Sequence, residues 1–326
     1  MLRRALVTGG AGFIGSHLVG LLHEQGVDVT VIDDLSTGRI TYLPDGVPIH
    51  PVDIGSPVAA TIIRTGEFDV IFHLAAQIDV RASVDDSSHD ARVNVLGMLN
   101  VLEAVRASGA STRIVFSSSG GAIYRATAPL PHAEFAPKEP ESAYGCAKLS
   151  AEHYLRYFDR VHGIQSVSLR YSNVYGPRQN ALGDAGVVAV FADRLLGGRH
   201  LTIYGDGHQT RDFVYVADVA RANVLAATEP LPPLGDLDSR AFNIGCGRET
   251  PVVTLAETMR RFVGVGNKPV EFQSARLGEV RRSALDCSKA TRVLSWVPKM
   301  SLEQGLEATY AWFAERESHR AIALYA

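Results

Sequence analysis

A glycine-rich turn near the start of the chain constrains the fold more than any other feature. Gly9, Gly12 and Gly15 are spaced by three residues and lie between a short apolar segment, residues 4–9, and apolar residues at helical spacing. Glycines in this context let the backbone approach a diphosphate closely, and the first turn of the following helix offers N–H donors to it. The order of strand, glycine turn and helix therefore predicts a dinucleotide-binding α/β fold.

Further segments alternate between strand-like and helix-like patterns through the first half of the chain. We predict strands at 27–32, 70–74, 113–117 and 165–171, and helices at about 94–108 and 144–162. Such alternation predicts a parallel sheet with helices on both faces. The predicted fold is thus a Rossmann-type doubly wound parallel sheet over residues 1–171, to which some later segments return. A smaller C-terminal α/β lobe over 172–326 is expected to bind substrate above the carboxyl ends of the strands.

The composition excludes several other classes of protein. Apolar residues make up 46% and charged residues 21%, and the net charge of −3 leaves no basic surface for nucleic acid. No run approaches the roughly 18 apolar residues that a membrane span needs, and the chain enters a strand too early for a signal peptide. Cys146, Cys246 and Cys287 are widely spaced, which suggests reduced thiols and a cytoplasmic protein. The histidines lack metal-ligand spacing, so no metal site is predicted.

An acidic residue at the end of the second strand indicates which dinucleotide binds. Asp33 follows Gly15 by 18 residues, where an acid is expected to bond the adenosine ribose hydroxyls. A carboxylate there repels a 2′-phosphate, so NAD is predicted rather than NADP, although the nearby Arg39 is a mild signal for NADP. Asp53 and Ile54 follow a further short strand and are candidates for the adenine edge, with a solvated turn as the competing interpretation.

A tyrosine and a lysine in the middle of the chain predict the chemistry. Tyr144 and Lys148 are four residues apart, so they project from one face of a helix. A nearby ammonium and a cationic nicotinamide are expected to lower the pKa of the phenol from its usual value near 10, which makes it a base. Ser117, Ser118 and Ser119 close a strand 25 residues before Tyr144 and offer a hydroxyl to a substrate alcohol. These motifs predict a nicotinamide enzyme that removes a proton and a hydride from a carbinol.

Several longer strings extend the comparison over nearly the whole chain. They are TGGAGFIGSH (8–17), HLAAQIDVRASV (73–84), SSGGAIY (118–124), YGCAK (144–148), LRYSNVYGPRQN (169–180), AGVVAVFA (185–192), YGDGHQTRDFVYVADVA (204–220) and RLGEVRRSALD (276–286). With these strings the chain resembles the extended short-chain dehydrogenase/reductases, and among them the bacterial UDP-glucose 4-epimerases. The set is far more specific than any single motif in it.

The resemblance implies a mechanism. Tyr144 would take the proton of the sugar 4-hydroxyl while NAD⁺ takes the hydride from C4, with Ser119 orienting the hydroxyl and Lys148 bonding the nicotinamide ribose. The 4-keto sugar would turn about its diphosphate link, and the hydride would return to the other face. NAD is not consumed in such a cycle, so tight retention is expected. A homodimer formed through the helices near 94–108 and 144–162 is also expected.

The resemblance also implies the residues that bind each ligand. Besides the glycine loop, the acids and the reactive pair, the cofactor contacts implied are Phe13, Ile14, Leu74, Ala75, Ala76, Gln77, Asn94, Ser117 and Tyr171. Besides Ser119 and Tyr144, the substrate contacts implied are Asn173, Val188, Tyr204, Arg211, Arg276, Glu279 and Ser283. Among these, Asn173, Arg211 and Arg276 would bond the diphosphate or groups near it. Tyr204 would pack on uracil, and Glu279 would meet the uridine ribose.

The choice of the catalytic serine stays open at this point. The end of the strand and the spacing to Tyr144 select Ser119. Counting back from Tyr124 selects Gly120 instead, because this chain is one residue longer here than many epimerases, which leaves Ser118 and Ser119 as alternatives.

Three positions discriminate between related nucleotide-sugar reactions. Gly120 follows the serines, whereas dehydratases and decarboxylases usually place an acid there for further acid–base steps. Asn180 stands where glucuronate 4-epimerases carry an arginine, although Arg178 is close in sequence. Ser283 is small and leaves space for a 2-N-acetyl group. The expected reaction is therefore 4-epimerisation of UDP-glucose and UDP-galactose, with N-acetylated sugars also open. A glucuronate epimerase, another nucleotide-sugar reductase and a non-catalytic NAD-binding regulator are the alternatives.

Overall fold

The structure is a computed structural model that describes residues 2–181, 186–263, 270–275 and 280–325. Its strands are β1 (Arg4–Thr8), β2 (Asp28–Ile32), β3 (Ile49–His50), β4 (Val70–His73), β5 (Arg113–Ser119), β6 (Ser166–Tyr171), β7 (Asn173–Tyr175), β8 (Leu201–Tyr204), β9 (Thr210–Arg211), β10 (Phe213–Tyr215), β11 (Ala241–Ile244), β12 (Thr250–Pro251) and β13 (Val270–Gln273).

The α-helices are α1 (Phe13–Glu24), α2 (Pro57–Thr65), α3 (Val80–Asp85), α4 (Ser87–Ala91), α5 (Gly97–Ser108), α6 (Gly120–Ile123), α7 (Ala143–His162), α8 (Val187–Leu196), α9 (Val216–Thr228), α10 (Val252–Phe262), α11 (Ser288–Leu294) and α12 (Leu302–Tyr325). A 3₁₀ turn spans Ile40–Tyr42, and a π-helix, Arg92–Leu96, joins α4 to α5. The predicted helix over 94–108 thus begins as a π-helix, which the apolar spacing did not reveal.

A seven-stranded sheet with the order β11-β6-β5-β4-β1-β2-β3 organises the molecule, and all its neighbouring strands are parallel. This confirms the predicted doubly wound Rossmann-type sheet. The strand order reverses between β1 and β4, which is where such sheets bind dinucleotides. The edge strand β11 comes from far beyond residue 171, so a late segment of the chain completes the sheet.

Alternation of side chains along the strands builds a core on each face of the sheet. On β1, Val7 packs in one core with α1, α9 and α11, and Leu6 packs in the other with α2, α5 and α7. Both side chains are completely buried. Apolar residues on both sides of a central strand are what a parallel sheet covered on both faces requires.

A third core lies among α8, α10 and α12, away from the sheet. Phe191, Leu255 and Leu306 are central to it and are almost completely buried. The short strand pairs β7·β10, β9·β12 and β8·β13 form three two-stranded sheets that are separate from the seven-stranded sheet. These later elements therefore form a second layer of packing with its own apolar interior, whereas β11, α9 and α11, which also follow residue 171, belong to the sheet and its core.

Other sequence-based expectations concern thiols, metals and membranes. Cys146, Cys246 and Cys287 are all free thiols. In the described part of the chain, no three His, Cys, Asp or Glu side chains group as metal ligands would. No helix among the described residues has the length and apolarity that crossing a membrane demands.

Candidate active site

The glycine turn is packed so tightly that side chains are excluded from it. Gly9 has φ +67°, and a Cβ atom there would lie 2.6 Å from the backbone nitrogen of Ala75. A Cβ at Gly15 would lie 2.1 Å from the carbonyl oxygen of Gly9. Strand β1 ends at Thr8 rather than at the predicted residue 9. Helix α1 starts at Phe13, with Ile14 in its first turn, so its N–H groups face this turn.

Asp33 lies at the end of β2 and anchors the glycine turn. Its carboxylate accepts hydrogen bonds from the backbone N–H groups of Ala11 and Leu35, each at 2.9 Å. Burial raises the pKa of Asp33, and these two backbone donors oppose the rise. Asp53 is exposed and accepts from the N–H of Gly55, so it closes its own turn, while Ile54 is buried in the core beneath α2 and α5.

The segment after β4 forms the opposite wall of the turn. The N–H of Leu74 donates to the carbonyl oxygen of Thr8 at 3.1 Å, and that of Ala75 to the Thr8 hydroxyl at 3.2 Å. Asn94, within the π-helix, exchanges two hydrogen bonds with the backbone of Gln77, at 3.0 and 2.9 Å. The π-helix thus aims the Asn94 amide at this wall, as such bulges often do at functional sites.

Helix α7 carries Tyr144 and Lys148 on one face, as predicted. The Ser142 hydroxyl caps the helix by accepting from the N–H of Gly145 at 3.1 Å, and the N–H of Tyr144 donates to the hydroxyl of Ser83 at 3.2 Å. The Lys148 ammonium donates to the carbonyl oxygen of Ser117 at 2.9 Å and lies 5.7 Å from the centroid of the Tyr144 ring. These bonds join the first turns of the helix to strand β5 and helix α3.

Desolvation has the largest effect on the pKa of the Tyr144 phenol in the protein alone. Burial raises the pKa of Tyr144 to about 12, the hydrogen bond with Ser119 lowers it, and the charge of Asp90 raises it further. Burial lowers the pKa of Lys148 to about 8, against the raising effects of Asp90 and Glu152. The expected lowering of the phenol's pKa by Lys148 together with a cationic nicotinamide stays a prediction.

The two candidate serines have different partners. The Ser118 hydroxyl donates to the Glu152 carboxylate at 2.5 Å and is buried. Glu152 is held in turn by Arg170, which donates to its two oxygens at 3.0 and 2.6 Å. Ser119 is half-buried, and its side chain interacts with the Tyr144 phenol and lowers the phenol's pKa. The geometry therefore pairs Ser119, and not Ser118, with the tyrosine.

Ser117 and Tyr171 lie close together on neighbouring strands, but their hydroxyls are already occupied. The two oxygens are 3.0 Å apart, and Asn223 of α9 donates to the Tyr171 hydroxyl at 2.8 Å. Burial raises the pKa of Tyr171 to about 12. Asn223 was missed in the sequence because a single asparagine within an apolar helix carries no pattern.

Three predicted substrate residues lie on strands of the second layer. Asn173 opens β7, is exposed, and donates its N–H to the carbonyl oxygen of Asp212 at 2.9 Å. Tyr204 ends β8 and is half-buried, and Arg211 in β9 is half-buried with its guanidinium bonded to the carbonyl oxygen of Thr210 at 2.9 Å. The backbone of Asp212 therefore lies between Arg211, which precedes it in the chain, and Asn173, which bonds to it.

The remaining predicted substrate residues differ in their surroundings. Val188 is 1% exposed and packs in the third core, so its side chain contributes to the interior of the lobe. Ser283 is buried and follows Arg281, whose carbonyl oxygen accepts from the backbone of β9. Arg276 and Glu279 lie outside the described residues.

Asp212 is a buried acid that the sequence reasoning missed. Its carboxylate accepts from the backbone N–H groups of Cys246, Gly247 and Leu285, at 2.8, 3.1 and 3.2 Å. Burial raises its pKa, and these donors oppose the rise. The side chain thereby ties the loop after β11 to the segment that carries Ser283. Asp212 directly follows Arg211 in the string over 204–220, and this position could have marked it as a candidate site residue.

The sequence is similar to a protein family and to individual proteins whose activities are named. The sequence matches the NAD dependent epimerase/dehydratase family over residues 5–245. A UDP-glucose 4-epimerase of Mycolicibacterium smegmatis is 41% identical over 318 residues, which cover 96% of this chain and 99% of that protein.

Two solved structures extend the match to three dimensions. The crystal structure of a UDP-glucose 4-epimerase from Thermotoga maritima with UDP-glucose superposes with a TM-score of 0.90 at 42% identity, covering 96% of this chain and 99% of the other. A UDP-glucose 4-epimerase from Thermus thermophilus in complex with NAD gives a TM-score of 0.84 at 40% identity, with coverage of 95% and 98%.

Proposed function

We propose, since the chain belongs to the NAD-dependent epimerase/dehydratase family, that it interconverts UDP-glucose and UDP-galactose by epimerisation at C4. The enzyme is an isomerase of the UDP-glucose 4-epimerase type and uses NAD. The observation that carries this function is the contact of Ser119 with Tyr144, on a helix that also presents Lys148, beside the glycine turn at the reversal of the strand order.

The residues around the glycine turn fit a dinucleotide. Gly9 and Gly15 leave no room for a Cβ against the backbone of Ala75 and of Gly9, so the turn stays tight, and the N-terminus of α1 supplies donors for a diphosphate. The carboxylate of Asp33 at the end of β2 suits ribose hydroxyls and opposes a 2′-phosphate. Asn94 and the segment Leu74–Gln77 would border the nicotinamide half. When bound, NAD accepts a hydride from the sugar C4 and returns it.

The side chains of this protein take up the proton of the sugar hydroxyl and orient that hydroxyl. Tyr144 takes the proton of the 4-hydroxyl, and Ser119 shares a hydrogen bond with that hydroxyl and with the phenol. The Lys148 ammonium supplies positive charge next to the phenol ring and is held by the Ser117 carbonyl. Because burial and the charge of Asp90 raise the pKa of Tyr144 to about 12 against the lowering effect of Ser119, the tyrosine needs cationic neighbours to act as a base near neutral pH.

Cofactor binding and substrate binding are assigned to two different parts of the chain. Residues 1–171, with β11, would form the cofactor domain, and most of 172–326 would form the substrate lobe. Asn173, Tyr204 and Arg211 would contact the UDP part, and Ser283 would border the sugar.

The site favours simple epimerisation of a neutral sugar. A Cβ atom at Gly120 would lie 2.6 Å from the Leu285 side chain, so the position after Ser119 is closed to the acid that dehydration or decarboxylation would require. Asn180 carries no charge to attract a sugar carboxylate. Together these positions support the glucose and galactose series over the glucuronate series.

The outer faces of two helices support a homodimer. Tyr154, Tyr157 and Val161 on α7 and Leu96 at the end of the π-helix are large apolar side chains that are exposed in the single chain. Exposed apolar side chains grouped on one helix face are typical of an interface between subunits. We place the dimer in the cytoplasm, because three widely spaced free cysteines are typical of a reduced compartment. Sedimentation velocity on the wild type and on a Tyr157→Glu variant tests the dimer.

The function is tested by supplying purified enzyme with UDP-galactose. Formation of UDP-glucose without accumulation of NADH supports epimerisation. Accumulation of reduced nicotinamide in proportion to the substrate consumed would instead identify a dehydrogenase. A panel with UDP-N-acetylglucosamine and UDP-glucuronate establishes which sugar is turned over fastest.

A further inference from the structure

Asp90, an acid that none of the motifs includes, lies buried behind the reactive pair. It is on α4, one helical turn before Asn94, and is 0% exposed. Its Oδ1 accepts from the side-chain amides of Asn94 at 3.0 Å and Gln77 at 2.9 Å. Its Oδ2 is buried and has no hydrogen-bond partner among residues 2–181, 186–263, 270–275 and 280–317. A carboxylate placed this way is costly unless a nearby cation balances it.

The neighbouring helix α7 supplies that cation. Of the two acids that act on Lys148, Glu152 is already paired with the Arg170 guanidinium through two hydrogen bonds. Asp90 receives only neutral amide donors, and the charges that act on it are those of Lys148 and His89. The buried ammonium of Lys148 is thus the natural counter-charge of Asp90.

Other titratable groups lie around this pair. The Tyr144 phenol is sensitive to the charge of Asp90, and His73 at the end of β4 is sensitive to that of Lys148. Charged side chains elsewhere on α3 and the π-helix are exposed, namely Arg81, Asp85 and Arg92. The groups around this pair are therefore a buried ammonium, a buried carboxylate, a half-buried phenol and a buried neutral imidazole.

We propose that Asp90 is a positioning residue of this site, a buried counter-charge that keeps Lys148 in its ammonium form next to Tyr144. Asp90 does not touch the reacting atoms. It acts through Lys148, and it shares its hydrogen bonds with Asn94 and Gln77, so the same carboxylate fixes the wall of the cofactor site. Only its consequence for turnover rests on the function proposed above.

The ionisation of Lys148 tests the proposal without any ligand. The chain contains only five lysines, so ¹³Cε-labelled lysine gives a simple NMR spectrum, in which the Lys148 signal is identified by its loss in Lys148→Met. In the wild type its pKa is expected at about 8. In Asp90→Asn it should fall by about one unit or more, because an opposite charge that acts on Lys148 across the packed helices α4 and α7 is removed.

Asp86→Asn is the matched control. Asp86 is exposed and caps α4 by accepting from the N–H of His89 at 2.9 Å, so this variant removes a carboxylate from the same helix but not from the site. Its Lys148 pKa should match the wild type. Asp90→Glu should restore most of the wild-type value. If Asp90→Asn does not fold, Asp90→Ser removes the same charge under the same criterion.

Turnover supplies a second, separable readout. If the enzyme epimerises UDP-galactose, the alkaline limb of the kcat profile should move to lower pH in Asp90→Asn, and remain in place in Asp86→Asn. The proposal is overturned if the pKa of Lys148 is unchanged in both Asp90→Asn and Asp90→Ser, whatever the activity of these variants. A shifted pKa in a protein without epimerase activity would leave the positioning role intact and reject the function.

Discussion

Two adjacent serines at the end of β5 allow the catalytic assignment to be tested by one pair of substitutions. Ser118→Ala removes a buried hydrogen bond to the Glu152 carboxylate, and Ser119→Ala removes the hydroxyl that contacts Tyr144. The first bond lies within the packed interior and the second faces the site. Ser118→Ala should therefore lose stability and keep its turnover. Ser119→Ala should keep its stability and lose turnover.

The expected sizes follow from the partners. A hydrogen bond to a charged group contributes about 1.5–3 kcal/mol. Because Arg170 still holds both oxygens of Glu152 in Ser118→Ala, we expect a loss near the lower end, about 2 kcal/mol. Loss of one donor aligned on the reacting hydroxyl lowers kcat by about 10²–10³-fold, or about 2.7–4 kcal/mol. Ser119 is half-buried, so Ser119→Ala should change the free energy of unfolding by less than about 1 kcal/mol.

Initial rates with UDP-galactose and urea unfolding at the same pH measure both quantities on the same preparations. Ser118→Ala should keep kcat within about twofold, a difference of about 0.4 kcal/mol. The double variant should show both losses independently. A large loss of kcat in Ser118→Ala, with near-normal turnover in Ser119→Ala, would show that the strand presents the other serine and would refute the assignment.

Three further outcomes are expected. Tyr144→Phe should lower kcat by at least about 10²-fold while NAD still binds, measured by turnover and by NAD content, and normal turnover would exclude this residue as the base. Ser283→Tyr should reduce kcat/KM for N-acetylated UDP-sugars more than for UDP-galactose, and an equal loss on both would contradict a steric role for this buried serine. Burial lowers the pKa of His73 to about 3, so this imidazole is neutral in the folded protein and becomes protonated more easily in the unfolded chain. The stability that it contributes above about pH 6.5 is therefore lost as the pH falls. The loss from this residue is about 2 kcal/mol at about pH 5, and His73→Asn should flatten the urea unfolding profile between about pH 7.5 and 5, whereas an unchanged slope would contradict it.

Much of the fold could be predicted because its signals are local and repeated. The glycine turn marks β1 and α1, and apolar runs at regular intervals mark the other central strands. The two-residue strands β9 and β12 and the π-helix Arg92–Leu96 were not predicted, because each depends on pairing or crowding with distant residues rather than on its own composition.

The candidate site was predictable in its membership and less so in its electrostatics. Helical spacing places Tyr144 and Lys148 on one face, but no pattern shows that burial would raise the pKa of the phenol. Asp90 was missed because a single acid among the polar residues 85–92 has no periodicity to distinguish it. Its burial is created by the packing of α4 against α7, which is a tertiary contact.

The late position of β11 matters while the chain is being synthesised. Strand β6 gains its second neighbour, β11, only when residues 241–244 have left the ribosome, well after β6 itself and its first neighbour β5. Until then the backbone donors and acceptors along one side of β6 are exposed and can pair with another nascent chain. A truncation that stops before residue 241 should therefore aggregate rather than give a separately folding nucleotide-binding half.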